Sequence, residues 1–208
     1  MISVVGYGSL LSEQSARETV PNLSNYRLVR VPGYRRVFDK VGIVFISRHG
    51  MPPDSLELAS CSTEAADGID IIAAQFECSE SDFLELYERE HRYRWIEVET
   101  CHLDTGEPSR GRMCTGYSDT DYRLNKCVTE AEYQRRVGQY YAGPLWRRDI
   151  LPNPRYLAFC LQSAATQGES VLQNFLDTSF TADGRSVRQY LADNPGLIPA
   201  EVVEYSYR

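Results

Sequence analysis

Histidine is scarce. Only His49, His91 and His102 occur in the 208 residues, which argues against a His-rich metal site and against a mechanism that needs several imidazoles. The six cysteines, Cys61, Cys78, Cys101, Cys114, Cys127 and Cys160, contain no C-x-x-C pair, so a zinc cluster is disfavoured too. No stretch approaches the ~20 apolar residues of a membrane span, and Met1 to Leu11 lacks the basic leader and cleavage pattern of a signal peptide. The expectation is a chain with no membrane contact, in the cytoplasm, its thiols reduced and buried as small hydrophobes. Positive charge is also short. The formal net charge is -7, a poor basis for binding nucleic acid by phosphate neutralisation. Arg35-Arg36 and Arg147-Arg148 read as solvated or ion-paired.

What is present fits one soluble domain over 1–208. Apolar residues make 42% and charged residues 25%, values that exclude disorder and permit a sizeable core. Fourteen tyrosines stand out against three histidines. Ile2 to Gly6 reads as a buried strand and Ser12 to Val20 as a short helix capped by Ser12. Tyr26 to Phe38 reads as two strand pieces broken by Pro32-Gly33, and Gly42 to Ser47 as another strand. Leu58 to Ser62 and Ile69 to Cys78 follow as strands, then a helix from Ser79 to Arg92, then a strand from Tyr93 to Leu103 that pairs with Met113 to Tyr117. Helices are predicted from Thr129 to Tyr141, from Arg155 to Gln167 and after Gly168. Val187 to Ala192 follows a turn at Ala182-Asp183-Gly184. Pro195 to Pro199 reads as a loop before a terminal segment, Val202 to Tyr207. Strands first and helices last predict an α+β fold, a small curled and mostly antiparallel β-barrel with outer helices and a helical C-terminal tail.

Two local patterns carry chemistry. Tyr7-Gly8-Ser9-Leu10 turns the chain from a strand into a helix start. Such a turn offers successive backbone N–H groups to an anion, and Gly8 lets a ligand approach the backbone closely. The same residues also serve as ordinary turn geometry. The second pattern is on the helix from Ser79, whose apolar stripe is Phe83, Leu84, Leu86 and Tyr87. Glu90 lies about 20° from Phe83 around the helix, so its carboxylate falls on the buried side, unlike Glu85 and Glu88. A carboxylate there is either an internal ion pair, with Arg89, Arg92 or Arg94, or a general acid/base in a cavity. His91 reads as a surface group at the helix end.

Four segments together resemble the γ-glutamylcyclotransferase superfamily. They are Tyr7-Gly8-Ser9-Leu10 after the first strand, Leu86-Tyr87-Glu88-Arg89-Glu90, Tyr93-Arg94-Trp95-Ile96-Glu97-Val98, and Pro152-Asn153-Pro154-Arg155-Tyr156. The resemblance covers roughly residues 3 to 165, and the tail from Gly168 lies outside it. Tyr87 stands where the family commonly has Asp, and Glu90 and Tyr93 are closer than in some members. The resemblance implies a small barrel and an intramolecular reaction. The α-amino group of a γ-glutamyl unit attacks its own γ-carbonyl, closes 5-oxoproline and expels an amine. Glu90 would shuttle the proton, the Tyr7–Leu10 turn would bind the α-carboxylate or the oxyanion, and Tyr93 and Tyr156 would orient the small-molecule γ-glutamyl substrate. The substrate carries its own nucleophile, so neither cofactor nor metal is implied.

Two alternatives remain open. The cavity could bind a γ-glutamyl or carboxylate ligand without turning it over. A Cys-dependent acyl transfer through Cys101 and His102 is the third reading, but neighbours on a strand point to opposite faces and do not form a working pair.

Overall fold

The computed structural model describes residues 1–197. The predicted terminal segment Val202 to Tyr207, and the end of the loop from Pro195, lie outside the described residues. The chain runs β1 (Ile2–Gly6), a 3-10 turn (Ser9–Leu11), α1 (Glu13–Thr19), β2 (Ser24–Val41), α2 (Ile43–Ser47), β3 (Ala59–Cys78), α3 (Glu80–Arg89), β4 (Arg94–His102) and β5 (Pro108–Thr115). Then follow α4 (Asp119–Lys126), α5 (Glu130–Tyr133), which continues as a π-turn over Gln134–Gly138, α6 (Pro154–Thr166), α7 (Glu169–Thr178), β6 (Ser179–Thr181) and α8 (Val187–Asp193).

Five strands close into a mixed barrel in the order β3-β1-β5-β4-β2, with β2 pairing back onto β3. The β1–β5 contact is parallel, and the other barrel pairings are antiparallel. β6 adds to the outside of β2, also in parallel. Closure removes the unpaired edges that an open sheet would expose. The core inside includes β-branched and aromatic side chains such as Val29, Val31, Phe38 and Ile71, with Met113 among them. The tail packs onto this barrel. Val171 and Phe175 of α7 are buried, and the Asn174 side chain accepts from Ile72 N–H at 2.8 Å while donating to Asp70 C=O at 2.9 Å.

Capping explains why the helices begin where they do. Ser12, Ser79, Thr129 and Asn153 each accept a backbone N–H from the residue three places on. Several segments differ from the sequence reading: Leu58 to Ser62 and Ile69 to Cys78 are one continuous strand, β3, and the helix from Ser79 ends at Arg89 with Leu84 of its apolar stripe exposed. Gly42 to Ser47 is not a strand but the short helix α2; its apolar run of Ile43 to Ile46 fits either period, and Gly42 is needed where a Cβ would strike the Phe45 ring. Pro32-Gly33 does not break β2. It makes a register shift in one continuous strand, with Gly33 at φ 73° and its N–H donating to the Asp70 carboxylate at 3.3 Å. The segment at α4 carries no sequence assignment, although Ser118 and two acids in the first turn mark its start.

His91 is a further correction. It is 6% exposed, not a surface group, with Nδ1 3.3 Å from the Tyr122 hydroxyl. Burial, with Arg136 and Lys126 beside it, pushes its pKa down to about 4. Between that value and the unfolded value of about 6.5, the unfolded chain binds a proton the folded chain refuses, so stability falls as pH drops through this window. Asp39 acts in the opposite sense: burial raises it to about 6, which favours the folded state as pH falls. The comparison with His91→Gln separates the two. Urea midpoints are expected to fall more for the wild type than for the variant between pH 7 and pH 4.5; parallel pH profiles would contradict this assignment.

Candidate active site

The turn after β1 is held from three sides. A Cβ at Gly6 would run into Leu10, which fixes how tightly the chain reverses. The Arg36 guanidinium, 0% exposed, donates from Nε to the Tyr7 carbonyl at 2.8 Å. Arg89 donates to the Ser9 hydroxyl at 3.2 Å. The first bond of the 3-10 turn runs from Leu11 N–H to Gly8 C=O at 3.0 Å, so the N–H groups of Ser9 and Leu10 precede it and are not part of the turn's own ladder.

Glu90 is the C-cap of α3, one residue past its end, and the chain reverses there through a bond from Tyr93 N–H to Glu90 C=O at 2.9 Å. That single turn is why the short Glu90–Tyr93 spacing brings both side chains to one place. The Glu90 carboxylate is 17% exposed and pairs with Arg89 Nε at 3.1 Å. Glu90 is therefore ion-paired and also lines a cavity. Tyr93 donates to the Cys61 carbonyl at 2.9 Å and lies 3.2 Å from the Ser60 hydroxyl. Tyr156 enters from the first turn of α6, which Asn153 caps, and its ring is wedged against Phe38 and Phe45.

These pieces meet. Tyr7, Gly8, Ser9, Leu10, Glu90, Tyr93 and Tyr156 all line one small cavity of about 40 Å³ at the barrel end. Cys61, Trp95 and Cys114 line it as well, and the sequence reading did not place them there. Burial pushes the thiols of Cys61 and Cys114 well above the usual range, so they stand as neutral thiols. Tyr7 is likewise held protonated by burial. The Trp95 indole N–H is buried with no hydrogen-bond partner among the described residues. Cys101 and His102 are not at the cavity. The Cys101 thiol donates to Gly106 C=O at 3.1 Å and His102 Nδ1 accepts from Asp104 N–H at 3.3 Å.

Glu90 and Tyr93 also line a second, wider basin of about 580 Å³. Lys40 and Arg92 are on its wall. Lys40 was not singled out in the sequence, and Arg92 only as a possible partner of Glu90; a register shift between Phe38 and Lys40 interrupts the alternation of β2, so no simple period of two marks Lys40.

Gly8 is required by close contact. A Cβ there would sit 2.8 Å from the Tyr156 hydroxyl, and the wedged ring has little room to retreat. Gly8→Ala is expected to cost about 1–3 kcal/mol of stability, the usual penalty for overpacking. Adding Tyr156→Phe removes the clashing oxygen and recovers part of that loss in a denaturation double-mutant cycle. Strictly additive costs would show that the two residues do not touch.

Neither a family model nor a curated protein sequence matches this chain. Solved structures do. One described as a gamma-glutamyl cyclotransferase aligns with a TM-score of 0.56 and 13% identity, over 83% of this chain and 83% of its own. An uncharacterized protein from Homo sapiens aligns with a TM-score of 0.55 and 13% identity, over 100% of this chain and 92% of its own. The chain has the γ-glutamylcyclotransferase-like fold; at this identity the likeness is one of architecture.

Proposed function

We propose that this chain is a γ-glutamylcyclotransferase-type enzyme. It cyclises a γ-glutamyl unit to 5-oxoproline and releases the amine that the unit carried. The observation behind this reading is the convergence of three sequence-distant regions, through Tyr7–Leu10, Glu90 with Tyr93, and Tyr156, on a single cavity. The fold likeness supports it at the level of architecture.

The reaction asks little of the protein. The α-nitrogen forms a bond to the γ-carbon, and the bond from that carbon to the leaving nitrogen breaks. The ammonium gives up two protons and becomes the lactam N–H; the leaving nitrogen gains one as its bond breaks and departs as an amine, and the second passes to solvent, where it is taken up again as the released amine becomes an ammonium. Folding the chain so that nitrogen and carbonyl meet supplies much of the rate. Glu90 takes the proton from the nucleophile and returns one to the leaving nitrogen. Backbone N–H groups of the Gly8–Leu10 turn face the substrate's anionic oxygens. The Tyr93 hydroxyl donates to Cys61 C=O, so towards a substrate N–H it acts as an acceptor.

The Arg89–Glu90 ion pair favours a second reading, in which Glu90 braces the cavity and the ligand is bound unchanged. Release of 5-oxoproline from a γ-glutamyl amide by the purified chain decides for the first; saturable binding without release decides for the second.

A further inference from the structure

Two cationic side chains on the basin wall lack an ion-pair partner among the described residues. Lys40 is 5% exposed, and its ammonium donates only to neutral oxygens, Val41 C=O and the Ser60 hydroxyl, both at 3.3 Å. Arg92 donates to Arg136 C=O at 2.6 Å, and its Nε is buried with no partner. Neither has a carboxylate within 4.0 Å among the described residues, whereas Arg89, Arg135 and Arg136 on the same wall each do, with Glu90 at 3.1 Å, Glu132 at 3.8 Å and Glu88 at 2.9 Å. The remaining acids of the basin, Glu18 and Glu85, are exposed at its rim. Burying a cation without a counter-charge is costly, and two together add repulsion. An anion placed between them relieves both.

We propose that Lys40 and Arg92 form a subsite for a carboxylate on the leaving half of the substrate, so that γ-glutamyl conjugates of amino acids or peptides are preferred over conjugates of uncharged amines. This rests on the cyclisation reading above. The position assigns the anion to the leaving half. Lys40 and Arg92 line the basin but not the small cavity, where the Tyr7–Leu10 turn faces the glutamyl end, and Glu90 and Tyr93 stand on the boundary between the two.

The electrostatics agree. Burial and then the charge of Arg92 lower Lys40 to about 7, against the opposing pull of Glu90 and Asp39. A bound carboxylate pulls Lys40 back up, so binding near pH 7.5 takes up protons from buffer.

The test compares γ-glutamylalanine with γ-glutamylethylamide, which carry the same glutamyl half and differ in the second carboxylate. Wild type is expected to favour the alanine conjugate in kcat/KM by about tenfold or more. That ratio is expected to collapse towards one in Arg92→Gln and in Lys40→Met. Equal kcat/KM for the two compounds in the wild type overturns the subsite and leaves the reaction standing. If neither compound is turned over, the cyclisation reading has failed and calorimetry on the wild type decides the subsite by itself. Run at pH 7.5 in buffers of different ionisation enthalpy, it supports the subsite if γ-glutamylalanine binds with proton uptake and the ethylamide without. Identical uptake for both, or none for either, overturns it.

Discussion

Glu90→Gln is expected to fold like the wild type and to release 5-oxoproline about 10²–10⁴-fold more slowly, the usual range for losing a positioned general acid/base. Glutamine keeps the size of the side chain and leaves the backbone bonds of the α3 C-cap, from Glu90 N–H to Leu86 C=O and from Tyr93 N–H to Glu90 C=O, in place. What disappears is the charge that takes a proton from the substrate ammonium, together with the ion pair to Arg89. A partly exposed pair of that kind contributes about 1 kcal/mol or less, so stability changes little. Circular dichroism and a denaturation midpoint establish folding, and initial rates establish the loss. A variant within tenfold of wild type would remove Glu90 from the proton path.

The second large effect concerns stability. Arg36→Met is expected to cost about 3–5 kcal/mol, because it leaves several buried acceptors without a donor. Arg36 is fully buried and ties three elements together. It donates to Tyr7 C=O at 2.8 Å, to the Thr178 hydroxyl at 3.0 Å and to Ile72 C=O, with its guanidinium 4.7 Å from the centre of the Phe175 ring. Methionine replaces the aliphatic stem but donates nothing. Since one of the abandoned carbonyls is that of Tyr7, whatever variant survives is also expected to bind substrate more weakly. Urea unfolding measures the first effect and ligand-induced stabilisation the second. Lysine, with one donor head in place of a planar fork, is expected to rescue neither. A loss under about 1 kcal/mol would show that the carbonyls find other partners.

Much of this arrangement is legible along the chain. Caps at Ser12, Ser79, Thr129 and Asn153 are local events, so the sequence shows them. The glycine at position 8 and the carboxylate at position 90 break the expected pattern of a turn and of an apolar stripe, and such breaks are where a site is found. The fold class follows from the order of strands and helices. Other features depend on contacts that no local pattern encodes. Ile43 to Ile46 becomes helix because the chain must leave the barrel at Gly42. Pro32-Gly33 becomes a register shift because β3 runs past it with extra residues. Arg36 and Lys40 look like surface charges until barrel closure buries both faces of β2. His91 is buried by the tyrosine of a helix thirty residues away, Tyr122. The tyrosine excess is resolved in the same way: Tyr7, Tyr93 and Tyr156 converge on the cavity, while Tyr122 and Tyr190 serve the core.

The central claim is that the cavity turns its ligand over. The most direct measurement incubates the purified wild-type chain with γ-glutamyl amino acids, peptides and amines and reads free 5-oxoproline against time. The account expects catalytic release, many equivalents per chain, from at least one γ-glutamyl amino acid or peptide. Thermal stabilisation by these compounds with no 5-oxoproline from any of them would contradict it and leave a binding protein in its place.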